Sequence, residues 1–293
     1  MAVVPRANEL LGYPDDARLL IVNADDFGMC HGQNLGAIRS ITEGLVSSCS
    51  LMAPTPWFLH AAEFLRTHPE VSFAVHLTVV SEYRHYRWGP LAALGDVPSL
   101  IDDSGYFFGD DRFDHILKTA DIGELETEFR AQIAAVLGLG LKPTHLDSHY
   151  GPHEQRQDIF DLVVSLAREF GLAVRAGSPD LVRGLLVQGL PAAEHGVLDS
   201  GRISPEAKAA VLAATLRELP AGLSEWALHP GIATDELRAV MADPRVPGVT
   251  GTPEGRQSDF DVAVSETAAR IVAEEGITII GYRELQEVWQ AVG

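Results

Sequence analysis

Two adjacent carboxylates, Asp25 and Asp26, follow the apolar run 19–22 after a gap of two residues and stand shortly before Gly28. Such a run is typical of a strand that is buried on both faces of a parallel sheet. An unpaired charge beside a core is costly or shifts its pKa, so paired acids at a strand end usually serve a cation or a proton transfer. Asp and Gly are also common turn residues, and a solvated turn explains this stretch alone equally well.

Histidines stand at the ends of further apolar runs. His76 lies within one run, His149 follows a second, and His229 follows a third. Because the C-terminal ends of parallel strands meet at one edge, these rings should lie near the first strand's carboxylates. Two histidines and one carboxylate are a typical ligand set for a divalent metal. Taken singly, His76 is equally a hydrogen-bonded core residue, and His229 a loop residue with a solvated ring.

Other polar residues near the strand ends have two explanations each. His145 points away from His149 if its strand ends at Leu146, so we give His149 the ligand role and His145 a structural one. Asp147 is placed to orient a histidine, or it serves as a capping or turn residue. Arg175, at the end of the fifth strand, holds Asp25 or the substrate, or it forms an ordinary salt bridge.

Apolar runs alternate with amphipathic segments along the chain. Seven strands and about as many helices predict a parallel sheet, and at this length a barrel-like (β/α) arrangement, with an open doubly wound sheet as the alternative. The predicted strands are Leu19–Gly28, Ser48–Ala53, Val71–Val79, Lys142–Leu146, Leu172–Arg175, Leu223–Leu228 and Ile277–Ile280. The predicted helices are Gly32–Thr42, Trp57–Arg66, Gly123–Leu139, Gln157–Phe170, one that begins at Ser204, Ser258–Glu275 and Tyr282–Val292.

Three long segments are predicted to be irregular. They are a loop at 81–109, an insertion at 178–201, and most of 231–257. Loops of this length are usually functional or disordered, and the aromatic residues of 81–109 favour an ordered loop.

Composition limits the class of protein. The chain has 293 residues, of which 46% are hydrophobic, which suits one large α/β domain over 1–293. A net charge of −19 argues against nucleic acid and anionic membranes as partners. No apolar run approaches the roughly 20 residues of a membrane span, and Met1–Asp16 lacks the pattern of a signal peptide. Cys30 and Cys49 are too few for a disulfide framework, so we expect reduced thiols and a cytoplasmic protein.

Three motifs resemble the YdjC-like (ChbG/HpnK) carbohydrate deacetylase family. They are the NADDFG sequence at Asn23–Gly28, VHLT at Val75–Thr78 and PTHLDSH at Pro143–His149, in that order. Ser50–Met52 also fits, and the resemblance extends from residue 18 to about residue 289. It implies a distorted (β/α) barrel of mainly parallel strands with one divalent metal. It also implies removal of acetyl groups from N-acetylated sugars such as chitooligosaccharides.

The resemblance implies a role for each matching position. Asp26, His76 and His149 become the metal ligands. Asp25 becomes the catalytic base that takes a proton from metal-activated water, and His229 becomes the general acid that protonates the leaving amine. The family points to Mg²⁺ or Zn²⁺, whereas ligand softness alone also allows Mn²⁺, Fe²⁺ or Co²⁺.

The chain departs from the family pattern after His149. Family members carry alternating histidines there, whereas this chain has Tyr150, Gly151 and Pro152 before His153. Gly151 replaces one of those histidines, which concerns substrate contacts more than the metal site. We therefore treat His153 as a candidate substrate contact.

Aromatic residues of the 81–109 loop are candidates for stacking on a sugar ring. They are Tyr83, Tyr86 and Trp88, and Trp57 outside the loop is a fourth. Aromatic loop residues also serve as lids or interfaces, and a Trp at the start of a helix commonly packs against the core.

Three functions remain open at this point. The first is deacetylation of an N-acetylated amino sugar, with a small carbohydrate as the partner. The second is metal-dependent hydrolysis of another amide or ester on the same scaffold. The third is catalytically silent carbohydrate binding, against which the intact Asp25, Asp26 and His229 argue. The resemblance is also compatible with a homodimer.

Overall fold

The first strand lies at the centre of the sheet. The structure is a computed structural model that describes residues 4–242 and 252–292. In β1 (Arg18–Phe27), every residue after Arg18 is buried, because neighbours cover both its faces and both its edges. Within the described part, β1 pairs in parallel with β7 (Gly222–Leu228), with β2 (Ser48–Leu51) beside its second half, and with β8 (Ile277–Ile279) beside its first three residues.

The remaining strands extend this sheet on both sides. They are β3 (Ser72–Leu77), β4 (His145–Ser148), β5 (Ala173–Val174) and β6 (Val197–Asp199). The strand order is β5-β4-β3-β2-β1-β7-β6, with β8 added beside β1, and every pairing between these strands is parallel. Within the described residues, β5 and β6 are the two ends of the order. The architecture is a half-barrel of parallel strands with helices, which agrees with the predicted distorted (β/α) barrel.

Helices connect consecutive strands. The irregular segment 81–109 lies between β3 and the helices that precede β4. The helices are α1 (Ala7–Leu11), α2 (His31–Glu43), α3 (Phe58–Thr67), α4 (Phe113–Thr119), α5 (Ile122–Gly138), α6 (Pro152–Gln155), α7 (Gln157–Phe170), α8 (Pro179–Val187), α9 (Pro205–Arg217), α10 (Asp235–Val240), α11 (Pro253–Ala263), α12 (Glu266–Glu274) and α13 (Tyr282–Val292).

Most predicted elements are confirmed, and local signals explain why. The helices α7 and α13 have the predicted bounds, and α9 begins with proline after Ser204, as predicted. Helix α5 begins where the Asp121 side chain accepts hydrogen bonds from two backbone N–H groups of the first turn. The fourth strand lies later than the predicted 142–146, because its pairing with β3 begins only at His145.

The segment 178–201 was wrongly predicted to be irregular. It holds α8, which begins with Pro179 and Asp180 and buries Val182, and the short strand β6. The helix signal at Ser178–Asp180 was present in the sequence. Strand β6 is three residues long and only half-buried at the end of the sheet, so its pattern is too short to detect.

The C-terminal third also differs from the prediction. The predicted helix 258–275 is two helices, α11 and α12, because the Ser265 side chain accepts from the Ala268 N–H and caps a new helix. The predicted loop 231–257 contains α10 and the start of α11, while its residues 243–251 lie outside the described part of the chain.

The long loop 81–109 is ordered, as its aromatic content predicted. It contains two 3₁₀ turns, at 94–96 and 98–100. Trp88, Leu100 and Phe107 from this loop are buried in the hydrophobic core. Their burial supplies the apolar contacts that hold an otherwise irregular segment in place.

Two smaller predictions concern membranes and thiols. In the ranges that the structure covers, no helix has both the length and the apolar character needed to span a bilayer. Cys30 and Cys49 are both buried and unbridged. Both thiols therefore lie in the core as small apolar side chains, and their redox state stays a prediction.

Candidate metal and catalytic site

The predicted ligands come together at the C-terminal ends of three parallel strands, β1, β3 and β4. Asp26 lies near the end of β1, His76 in β3, and His149 directly after β4. The pairing of β1 with β2 shifts register between Ala24 and Phe27, and Asp26 within this irregularity has φ +63°. A positive φ costs a residue with a side chain roughly 1–2 kcal/mol. Such strain is typical of functional positions, where the surrounding structure holds it in place.

The three side chains form a compact buried group. One ligand atom from each of Asp26, His76 and His149 lies within 4.8 Å of the others. Oδ1 of Asp26 is 3.0 Å from Nδ1 of His149 and 3.6 Å from Nε2 of His76. The structure thus brings together the set that the sequence predicted, while the metal role itself stays a prediction.

Each histidine directs one nitrogen at Asp26 and the other at a second carboxylate. Nδ1 of His76 lies 2.7 Å from Oδ1 of Asp147, and Nε2 of His149 lies 3.1 Å from Oε2 of Glu82. Metal-bound histidines commonly donate their second N–H to a carboxylate, which fixes the tautomer and the orientation of the ring. Asp147 therefore lies where the sequence placed a histidine-orienting acid, and Glu82 is its counterpart for His149.

The Asp26 carboxylate is ionised, as a ligand to a cation must be. Burial raises its pKa, but Arg256 and the two histidines outweigh burial and lower the pKa well below the usual value. Arg256 lies 2.8 Å from Oδ2, whereas Oδ1 is buried and has no well-formed hydrogen bond. An ionised oxygen that faces two imidazole nitrogens without such a bond suits a divalent metal.

Metal affinity should rise with pH. Burial lowers the pKa of both histidines, but the neighbouring carboxylates dominate and raise it to about 10 for His76 and about 9 for His149. The metal-free protein therefore carries both protons at neutral pH. Since a metal needs neutral imidazoles, each displaced proton should add up to about tenfold affinity per pH unit at pH values below about 9.

Calorimetric titration with Zn²⁺ or Mg²⁺ in two buffers of different ionisation enthalpy measures the protons released. Release of protons at neutral pH, with affinity rising as the pH rises, is the expected result. An affinity that stays constant over this range would show that the two imidazoles are already neutral in the free protein.

Asp25 has different direct partners from Asp26. Two nitrogens of Arg175 each lie 2.9 Å from one oxygen of Asp25, and Asn23 donates to Oδ1. Arg175 also contacts Glu225 at 2.7 Å and Asp147 at 2.9 Å. Arg175 thus forms buried ion pairs with three carboxylates, including Asp25, and its functional role stays a prediction. Through Asp147 the same guanidinium is linked to His76.

His229 lies beside Asp25 in the sheet. Leu228 of β7 is the register partner of Ala24, so the residues that follow, His229 and Asp25, stand at the same level. The His229 N–H donates to Asp259, whose carboxylate lies 2.6 Å from the buried Lys208. The ring is half-buried, and its Nδ1 is buried without a hydrogen-bond partner.

His153 and His145 are structural in this fold. His153 is 2% exposed. It donates from Nε2 to the carbonyl of Arg175 and accepts from Ser148 at Nδ1. Both nitrogens of the His153 ring already bind the protein, which favours a role in supporting the site over direct contact with the substrate. His145 stacks on Tyr282 at 3.5 Å, which agrees with the structural role predicted for it.

Burial divides the aromatic candidates. Tyr83 and Trp88 are 1% and 2% exposed, so neither offers an open ring face to a sugar. Trp88 donates to the carbonyl of residue 80, and its ring centroid lies 6.3 Å from that of His149. It packs behind a candidate metal ligand. Tyr86, whose hydroxyl donates to the Met29 carbonyl, and Trp57, stacked on His31, are partly exposed and stay candidates.

Several residues of the site escaped the sequence analysis. Glu225 was detectable, because it is a charged residue inside the apolar strand 222–228. Asn23 stands within the first motif. Glu82 and Arg256 follow no local pattern, since both lie outside strands and reach the site only through the tertiary fold.

Comparison with known proteins identifies a family and several similar enzymes. The family model described as YdjC-like protein matches residues 19–274. A carbohydrate deacetylase of Geobacillus stearothermophilus is 38% identical over 158 residues, which are 54% of this chain but only 59% of that relative. A carbohydrate deacetylase of Thermoanaerobacter pseudethanolicus is 30% identical over 75% of this chain and 84% of its own. A chitooligosaccharide deacetylase of Serratia marcescens is 29% identical over 92% of this chain and 99% of its own.

A solved structure supports the fold. It is a candidate cellobiose-phosphate cleavage protein of Enterococcus faecalis V583, with a TM-score of 0.75 and 25% identity. The match covers 92% of this chain and 99% of that one. Because the family model spans most of the 293 residues and the motifs that carry it meet in one buried site, the chain belongs to the YdjC-like protein family.

Proposed function

We propose that this protein is a metal-dependent deacetylase of N-acetylated amino sugars of the chitooligosaccharide type. The observation that carries the proposal is that two adjacent aspartates have different direct partners. Asp26 faces two histidines, whereas Asp25 is held by Arg175. Hydrolysis of an unreactive amide needs both an electrophilic centre and a base, and this pair supplies the residues for each. The names of the relatives agree with it.

Asp26, His76 and His149 would hold the metal, with Zn²⁺ and Mg²⁺ as the proposed ions. When bound, a divalent metal there would polarise the acetamide carbonyl and lower the pKa of a water molecule. Glu82 and Asp147 keep the two rings oriented toward Asp26.

Asp25 acts as the base. Its Oδ1 accepts from Arg175 and Asn23, whereas Oδ2 accepts from Arg175. Oδ2 therefore retains the greater capacity to take a proton from the attacking water. The bidentate grip of Arg175 fixes the plane of the carboxylate, so little reorganisation is needed when the proton moves.

His229 acts as the general acid. It follows the strand that pairs with β1 and stands at the level of Asp25. Since Nδ1 is buried, Nε2 is the nitrogen that delivers a proton to the leaving amine. A general acid of this kind typically contributes about 10²–10⁴-fold to the rate. The bond from the His229 N–H to Asp259 fixes the backbone that carries the ring.

Acetate release from diacetylchitobiose tests the proposal. We expect acetate from the metal-loaded protein, its loss after chelation, and its return when Zn²⁺ or Mg²⁺ is added back. A panel of N-acetyl sugars of different length, with an aryl acetate ester beside it, separates the alternatives. Release from the ester alone would favour a different hydrolase, and sugar binding without any acetate would favour a silent carbohydrate-binding protein.

A further inference from the structure

Tyr150 is an exposed aromatic residue beside the candidate metal ligands. It follows His149 directly, and 42% of it is exposed. Its ring meets the His149 ring edge-on, with the centroids 4.8 Å apart. In the described ranges, Tyr106 is the other aromatic residue of comparable exposure, at 41%, and it packs against Arg87 in the long loop. Tyr150 is thus the openly exposed ring that adjoins the site.

The backbone holds Tyr150 in a conformation that its side chain disfavours. Residues 148–151 form a turn that is closed by a hydrogen bond from the Gly151 N–H to the Ser148 carbonyl at 3.1 Å. Tyr150 occupies the third position with φ +62°, where glycine or asparagine is preferred. The other non-glycine residue with positive φ in the described part of the chain is Asp26, a candidate metal ligand. Strain of this kind points to a functional position.

The ring is also fixed in direction. Its hydroxyl donates to Oδ2 of Asp110 at 3.2 Å, and Phe113 lies beside it with a centroid distance of 5.8 Å. Both partners follow the end of the 81–109 loop, so the ring is held between that loop and the end of β4. A ring that is held before a ligand arrives loses little freedom on binding.

We propose that the ring of Tyr150 is a sugar-binding surface that sets specificity for the pyranose carrying the acetamido group. This inference rests on the proposed function. The carbon-bound hydrogens of a pyranose face form an apolar surface, and a tyrosine supplies a matching apolar ring with a polar tip. The buried Tyr83 and Trp88 cannot supply such a surface.

The test is the variant Tyr150→Asn, which removes the ring and suits the left-handed backbone. We expect KM for diacetylchitobiose and Kd for chitobiose to rise about 3–10-fold, with a much smaller change in kcat. The Tm should stay unchanged or rise, because the strain is relieved. Tyr150→Phe keeps the ring, so its KM should stay close to that of the wild-type protein.

A lower Tm with unchanged KM and Kd would instead show that Tyr150 has only a structural role. If Tyr150 only anchors the loop through Asp110 and Phe113, Tyr150→Asn should lower the Tm and leave KM and Kd unchanged, which would overturn the inference. Tyr106→Asn is the matched control, an equally exposed tyrosine whose loss should change neither KM nor Kd. Failure of the wild-type protein to release acetate would instead overturn the proposed function, and this inference with it.

Discussion

Replacing Asp25 with asparagine is expected to lower kcat for acetate release by about 10²–10⁴-fold. Asparagine has nearly the same shape but no proton-accepting carboxylate oxygen, so the proton of the attacking water loses its acceptor. The metal affinity should not change, because Asp25 contacts Arg175 and Asn23 and is not part of the Asp26 group. The steady-state rate of acetate release and a calorimetric metal titration measure the two quantities.

The fold should tolerate the Asp25 variant. Removing one partner of a buried ion pair is strongly destabilising when the other charge is left uncompensated. Here Arg175 keeps Glu225 and Asp147 as partners, so its charge stays balanced. Thermal unfolding checks this, and the solvent-exposed Asp103→Asn is the matched control for loss of one negative charge. Acetate release at the wild-type rate in Asp25→Asn protein would disprove the base role.

Replacing Asp26 with asparagine should instead weaken metal binding. Loss of an outer partner of a metal ligand typically costs about 10–100-fold in affinity, and we expect the loss of a direct ligand to cost at least that. Asparagine tolerates a positive φ, so the backbone at +63° stays in place, whereas alanine would add strain. Titration calorimetry and the metal-dependent shift in Tm measure the effect.

The two aspartate variants together separate binding from proton transfer. Activity of the Asp26 variant should recover in part when metal is in excess, whereas excess metal should not rescue the Asp25 variant. Anomalous scattering from crystals soaked in Zn²⁺ gives an independent check. A metal found away from Asp26, His76 and His149 would contradict the ligand assignment, even if both variants were inactive.

The strands that carry the candidate site could be predicted from the amino-acid sequence. The apolar run before Asp25 marked β1, and shorter runs marked the strands of His76 and His229, because residues buried on both faces need no polar alternation. Parallel pairing then required these ends to meet at one edge. The predicted group of Asp26, His76 and His149 followed from this rule and from the motifs, and the structure brings the three together.

The pairing of the buried charges and the exposure of the aromatic rings could not be predicted, because both depend on contacts between distant parts of the chain. Asp25 and Arg175 are 150 residues apart, and Glu82 and His149 are 67 apart, so neither contact leaves a local pattern. The exposure of aromatic rings also leaves no local pattern. Trp88 is buried and offers no open ring face to a sugar, whereas Tyr150 stays exposed on a strained turn. The periodicity of hydrophobic residues indicates which face of a helix or strand is apolar. The partner of a buried charge depends on which strand ends and loops meet once the sheet has assembled.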